Sequence, residues 1–309
     1  SEGSATKAGL AVVDSAIDTY RTSVKFYGEM RDRVATVADQ IRDPADDETV
    51  AMLVTDRHDN IGMDPVAEAV ADAGQASLVI DMGDDTSTGG SWEAFSINSL
   101  GRAFEDYDKI GIAGNHDTGG FVQNALRDVG FTVLDGEPVD VDGIRFIGDS
   151  DPRSSGLTAG YGDTAGETIQ EQGARLTKAA CEDGRVSTVV VHSPTTGEQI
   201  AQSGCVDLVV SGHLHRQVGP VTLTSPEGRR TVTYTNASTG GAVYAFALGS
   251  KLRRPAQVTL VTYRDGRPVG LQPVDFEPGG EVSVQDYIAL DLDADGEGPK
   301  AARDTGKRH

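Results

Sequence analysis

From residue 50 onward, short apolar runs alternate with stretches of helical period. VAMLVT (50–55), SLVIDM (77–82), KIGIAG (109–114), STVVVH (187–192) and VDLVVSG (206–212) are too short and too β-branched for buried helices and read as strands. Between them, apolar residues recur at helical spacing from Pro65, near 92–105, near 120–130, near 166–181 and near 196–203, and two or three hairpin-like strands fill 132–148. Strands alternating with helices predict a parallel sheet covered on its faces. After residue 217 the helical period stops, and strand-like runs broken by PEGR (226–229) and RDGRP (264–268) predict antiparallel sheet. The mixture predicts an α/β fold built on two sheets.

The first segment differs. Leu10, Val13, Ile17, Tyr20, Val24, Tyr27, Met30, Val34, Val37 and Ile41 recur at steps of three and four, which predicts one amphipathic helix over 8–42. Such a stripe either packs on its own domain or serves as a stalk or homodimerising helix leading from a removed anchor. RDPADDE (42–48) closes the segment as a polar linker. At the other end, DLDADG (291–296) imitates the start of a calcium loop, but Ala302 stands where a bidentate Glu is needed, so 291–309 reads as a flexible polar tail. The organisation is then 1–48 helix and linker, 49–290 main α/β domain, and 291–309 tail.

Composition narrows the function. The 309 residues carry a formal net charge of −21, which disfavours a broad surface for nucleic acid or anionic lipid, since both need clustered Lys and Arg. No apolar run approaches the roughly 18 residues that cross a bilayer. The chain starts at Ser1, which leaves room for a removed upstream anchor.

Candidate chemistry gathers at the strand ends. Of six histidines, all but His309 follow an apolar run: His58 in TDRHDN, His116 in AGNHD, His192 in VVVHSP, and His213 and His215 in SGHLHR. The C-terminal edge of a parallel sheet is where loops converge on a site. Asp56, Asp84 and Asn115 accompany them. Imidazole, carboxylate and amide oxygen without thiolate suit divalent Mn, Fe, Zn, Co or Ni better than a structural zinc.

The order D-x-H, G-D, G-N-H-D, H, G-H-x-H over about residues 50–240 resembles the calcineurin-like metallophosphoesterase family. The resemblance implies an α/β/β/α sandwich with the N-terminal helix added. It implies one metal on Asp56, His58 and His215, a second on Asn115, His192 and His213, and Asp84 bridging them. It implies hydrolysis of a phosphomonoester or phosphodiester by a hydroxide bridging the two metals, with His116 as general acid at the leaving oxygen. Asp117 either orients His116 or caps a helix, and Asp85 either supports a ligand or caps. Arg57, Arg153 and Arg216 lie near site loops as candidate phosphate clamps, against the commoner fate of an ion pair. Loops 86–98 and 149–168 are the candidates for substrate selection. GDSDP (148–152) resembles a loop of exported, YkuE-like members.

Cys181 and Cys205 each end a helix before a predicted neighbouring strand, which allows either a disulfide or two buried thiols. A disulfide would favour an extracytoplasmic location, membrane-tethered in full length, with the cytoplasm as the alternative. The competing function is a catalytically silent scaffold of the same fold that binds a protein partner.

Overall fold

Seven-residue β1 (Glu48–Val54) sets the frame of the first sheet because every residue from Val50 to Val54 is buried, as a strand covered on both faces requires. The computed structural model describes residues 2–155, 162–163, 166–241 and 251–292. The N-terminal helix α1 (Glu2–Val37) precedes β1. The chain then alternates α2 (Asp64–Ala73), β2 (Leu78–Asp81), α3 (Ala94–Ala103), β3 (Asp108–Gly111) and α4 (Phe121–Asp128). Short strands β4 (Thr132–Val133), β5 (Val139–Val141), β6 (Ile144–Gly148), β7 (Arg153–Ser154) and β8 (Gly162–Asp163) follow. Next come α5 (Ile169–Asp183), β9 (Val186–Val190), α6 (Pro194–Gln202) and β10 (Val206–Ser211). The remainder is strand: β11 (Val218–Thr224), β12 (Arg230–Thr235), β13 (Ala256–Arg264), β14 (Arg267–Phe276), β15 (Val282–Val284) and β16 (Ile288–Ala289).

The strands form two large sheets. The first has the order β15-β14-β13-β1-β2-β3-β4, with β16 on β14, and is parallel from β1 to β4 and antiparallel from β1 to β15. The second has the order β11-β12-β10-β9-β6-β5, with β12, β10, β9 and β6 parallel. Three apolar clusters define the layers. One, with Leu53, Ile80, Phe146, Val210 and Tyr263, lies between the sheets. A second packs α1 to α4 on the outer face of the first sheet, and a third packs α5 and α6 on the second. The result is the expected α/β/β/α order.

Two details depart from the sequence reading. The segment 132–148 is not one set of hairpins: β4 pairs in parallel with β3, whereas β5 and β6 form an antiparallel pair in the other sheet, so the chain crosses between sheets here. After residue 217, β12 is parallel to β10 rather than antiparallel.

In α1, Tyr27, Met30 and Val34 are buried against the first sheet's helices, whereas Val24 is 54% and Ile17 42% exposed. The packing reading thus describes the C-terminal half of the helix; the side chains of Leu10, Val13 and Tyr20 lie outside the described residues. Most of the polar tail, 293–309, also lies outside them, as do 156–161 within the selection loop. No helix of the described residues is long and apolar enough to cross a membrane.

Beneath the strand ends sits an ionic knot. Arg57 is fully buried; its Nε and Nη2 donate to the two oxygens of Asp64 (2.8 and 2.7 Å), its Nη1 donates to Asp85 (2.9 Å), and Nη2 also reaches the Ser96 carbonyl. The expectation that Arg57 clamps substrate is therefore corrected: its guanidinium is spent inside the protein. Asp85 likewise serves this pair and caps no helix. Next to it, Asp81 is pushed well above the usual carboxylate range by burial and by Asp85.

On the far edge of the second sheet, Cys181 at the end of α5 and Cys205 before β10 form a disulfide with Cα atoms 5.0 Å apart. It closes a loop of 24 residues in sequence separation, for which chain-entropy arguments give about 3 kcal/mol. Reduction is accordingly expected to lower the thermal midpoint by several degrees, read by calorimetry with and without reductant. Arg57→Met is expected to cost about 3–5 kcal/mol in a urea titration, because it strands Asp64 and Asp85 as buried charges. A wild-type midpoint for that variant would mean the knot contributes nothing to stability.

Candidate metal centre

Five of the seven candidate ligands leave a strand end through a turn that few residues tolerate. Asp56, His58, Asp84, His213 and His215 all have φ between 43° and 68°. Left-handed backbone is uncommon for residues other than glycine, and Asp, Asn and His reach it most readily. Glycines make room for these turns. A Cβ on Gly212 would lie 2.5 Å from Asp56 Oδ2, and one on Gly114 would lie 2.2 Å from Asp84 Oδ1.

Hydrogen bonds then fix which atom of each side chain faces inward. Asp56 Oδ2 accepts from Thr55 Oγ1 (2.7 Å) and from the His213 N–H (2.8 Å), and its Oδ1 is buried with no hydrogen-bond partner. Asp84 Oδ1 accepts from the His116 N–H (2.8 Å), which turns Oδ2 toward the histidines. His192 Nδ1 lies 2.8 Å from the Met82 carbonyl, and His58 Nδ1 lies 3.3 Å from that of Thr86. Donation from Nδ1 to a carbonyl leaves the Nε2 lone pair as the inward atom, the usual way a second layer orients a metal-binding imidazole. Asn115 Nδ2 donates to Ser155 Oγ (2.7 Å), so its buried Oδ1 is the atom left without a partner.

The inward atoms converge. His58 Nε2 and His215 Nε2 are 3.1 Å apart, and Asp56 Oδ1 lies 3.0 Å from the second and 3.8 Å from the first. Asp84 Oδ2 lies 3.2 Å from His192 Nε2 and 3.8 Å from His58 Nε2. Two three-residue groups thereby have the donors to hold a metal: Asp56, His58 and His215, and Asp84, His192 and His213. Facing lone pairs and carboxylates repel one another unless positive charge sits among them. The titration of the bare residues expresses the same need. Burial opposes a charged imidazole, yet the Asp84 carboxylate pushes His192 up to about 10. Burial would raise Asp84, yet His192, His58 and His116 hold it far below the carboxylate range. The donor set fits a divalent cation.

His116 sits beside this cluster, edge-on to the His58 ring with centroids 5.1 Å apart, and its Nδ1 lies 3.1 Å from the Ser87 carbonyl. Asp117 does not pair with it, and it caps no helix. Its oxygens accept from Thr86 N–H (2.9 Å) and Oγ1 (2.7 Å), Gly114 N–H (2.9 Å) and Asp85 N–H (3.2 Å), so it braces two ligand loops against each other. Its catalytic assignment is corrected to that bracing role. Burial, with Asp85 and Asp84 near, pushes it up to about 7.

Two arginines remain at the site. Arg153 donates from Nε and Nη2 to Asp151 (3.0 and 2.7 Å), and its charge depresses His213 together with burial and His192, to about 4. Its loop is zipped to the ligand strand through Asp151 N–H to Ala113 O and Ser155 N–H to Asn115 O. Arg216 is exposed on the rim, directly after His215.

A further brace escaped the sequence reading. Glu93 accepts from the N–H groups of Ser87 (2.8 Å), Thr88 (3.0 Å) and Gly90 (2.8 Å) and from Thr88 Oγ1 (2.6 Å), fixing the loop whose Ser87 carbonyl faces His116. Asp59 shares it: burial and Glu93 push Asp59 up to about 8. Asp59 follows a ligand directly, the one hint the sequence offered.

Comparison with known proteins bears on the family. The family model for calcineurin-like phosphoesterases matches residues 50–217. No curated protein matches the chain. Similar solved structures include a novel archaeal phosphodiesterase (13% identity, 78% of this chain and 100% of that one, TM-score 0.41). They also include TT1561 of Thermus thermophilus (8%, 77% and 98%, TM-score 0.47) and Yfce, a phosphoesterase from E. coli (14%, 79% and 100%, TM-score 0.41). With the family model spanning more than half of its length and the site residues inside that span, the chain belongs to the calcineurin-like phosphoesterase family.

Proposed function

We propose that this chain hydrolyses a phosphate ester at a centre of two divalent cations, one held by Asp56, His58 and His215, the other by Asn115, His192 and His213, with Asp84 shared. The observation that carries the reading is the position of Asp84 Oδ2 between His58 Nε2 and His192 Nε2 while its other oxygen is tied to the His116 N–H. One carboxylate oxygen so placed can serve both groups. Bound cations would supply charge neutralisation for the phosphate oxygens and a lowered pKa for water.

The chain's own residues do the rest. The Ser87 carbonyl accepts a hydrogen bond from His116 Nδ1–H, so Nε2 is the atom free to pass a proton to the departing alkoxide. The Arg153 fork, held flat by Asp151, is the better placed of the two remaining arginines to meet phosphate oxygens, because its charge already acts on His213. The Cys181–Cys205 disulfide supports an oxidising, extracytoplasmic compartment.

The test uses protein stripped of metal by a chelator, assayed on p-nitrophenyl phosphate and bis-p-nitrophenyl phosphate before and after addition of Mn²⁺. Turnover restored by metal is the expected result; no turnover with two metals bound per chain would overturn the reading. Two variants separate the roles. His116→Ala is expected to keep its metal content while kcat falls by about 10²–10⁴, the usual contribution of a positioned acid. Asp84→Ala is expected to lose metal, measured by elemental analysis after dialysis. An emptied site in His116→Ala would reverse the assignment of that histidine.

A further inference from the structure

A cleft of about 480 Å³ opens beside Asn115, between the turn that follows Asp117 and the loop from Asp149 to Ser154, a volume in the range of small-ligand sites. Arg153 lines the cleft, and the loop that carries it is hydrogen-bonded to the candidate ligand loop through Asp151 N–H to Ala113 O and Ser155 N–H to Asn115 O. Ala113 and Asp117, which also line it, flank Gly114, Asn115 and His116. Resting on the hydrolase reading above, we infer that this cleft receives the alcohol portion of the ester and that this portion is a neutral polyol.

The lining chemistry makes the choice. One wall is bare backbone: Gly119 and Gly120 have φ of 85° and 77°, and a Cβ on Gly119 would meet nothing within 4 Å. Gly120 is also the N-cap of the eight-residue helix α4, so no side chain caps that helix, and its first turn offers N–H groups at the cleft. Opposite lies Ser154, 1% exposed, whose Oγ has no hydrogen-bond partner among the described residues. A buried hydroxyl left unpaired is costly, and it points to a group that completes it.

Acceptors stand among these donors. Asp149, Asp151 and Glu167 line the cleft, Asp151 paired with Arg153 and the other two with Arg175. With Asp117, which also lines the cleft, four carboxylates stand against two guanidinium groups and leave it negative. A second phosphate can only accept hydrogen bonds and would face those carboxylates. A nucleobase would find no aromatic side chain lining the cleft among the described residues, and an acyl chain would find only Ala113 and Pro152. A hydroxyl both donates and accepts, so adjacent hydroxyls on a short carbon chain can use N–H, O–H and carboxylate groups together. The Gln123 side chain on the α4 wall extends the same mixed character.

The experiment compares esters that differ only in hydroxyl groups. Metal-loaded enzyme is assayed on glyceryl and 1-propyl phosphate, and on bis-glyceryl and bis-propyl phosphate, with the p-nitrophenyl esters as reference. For whichever ester class turns over, kcat/KM for the glyceryl compound is expected to exceed that for the propyl compound by on the order of 10-fold or more. Ser154→Ala removes a hydroxyl that has no partner among the described residues, so the variant is expected to keep its structure, and the glyceryl-to-propyl ratio is expected to fall several-fold. Equal rates for glyceryl and propyl esters, with p-nitrophenyl turnover intact, would overturn the polyol inference and leave the hydrolase reading standing. A preference that survives Ser154→Ala in full would place hydroxyl recognition outside this cleft and also overturn it. No turnover of any ester with metal bound would overturn both.

Discussion

The constraint on which the site depends is backbone strain at the ligands themselves. Five of the seven candidate ligand residues sit in left-handed conformation, at a cost of roughly 1–3 kcal/mol each if the surroundings did not over-determine them. The surroundings do so with short-range order rather than bulk. Asp56 N–H donates to Gly83 O (2.8 Å), His58 N–H to Asp84 O (3.0 Å) and Gly240 N–H to Asp56 O (3.2 Å), so each bent loop is pinned to the next. Glycines at 83, 114, 212 and 240 permit that approach, since a Cβ at any of them would lie within 2.5 Å of a neighbouring atom. The strain, the glycines and the converging donors are one arrangement.

Charge is the second half of the same arrangement. A centre meant to receive cations must gather carboxylates, and gathered carboxylates repel. The fold separates them by layer. Asp56 and Asp84 face the centre with one oxygen each and give the other to donors from neighbouring loops. One step deeper, Arg57 neutralises Asp64 and Asp85, while burial and Asp85 push Asp81 beside them well above the usual carboxylate range. To the side, burial and Glu93 push Asp59 up to about 8. Removing the guanidinium from the lower layer would return its repulsion to the upper one, which is why Arg57 belongs to the architecture although it lies between two ligands in sequence.

Those particulars explain what the sequence could and could not disclose. The candidate ligands stood out in the sequence because five histidines at the ends of four apolar runs have no bland explanation as a set. The helix and strand order was legible from period alone. The orienting groups were not, since Met82, Thr86 and Ser87 act through backbone carbonyls that every residue carries. Arg57 misled because adjacency to a ligand says nothing about which way a side chain turns when the backbone between Asp56 and His58 is left-handed on both sides. Asp117 misled similarly: its four hydrogen bonds reach residues distant in sequence, as well as Gly114. The crossing at 132–148 was hidden because two-residue and three-residue strands carry too little pattern to declare their sheet.

The placement of the donors by sheet gives the last step. Asp56, His58, Asp84, Asn115 and His116 leave β1, β2 and β3 of the first sheet, and His192, His213 and His215 leave β9 and β10 of the second. Each three-residue group draws donors from both sheets. The distance between the sheets therefore helps set the spacing of the inward atoms, and it is in turn set by the apolar layer of Leu53, Ile80, Phe146, Val210 and Tyr263. Close-packed interiors hold such spacings to fractions of an ångström because a lost or added methylene has nowhere to go. The hydrophobic layer thus fixes the geometry of the charged site at its edge, and a cation bound across the seam would in turn hold the two sheets together.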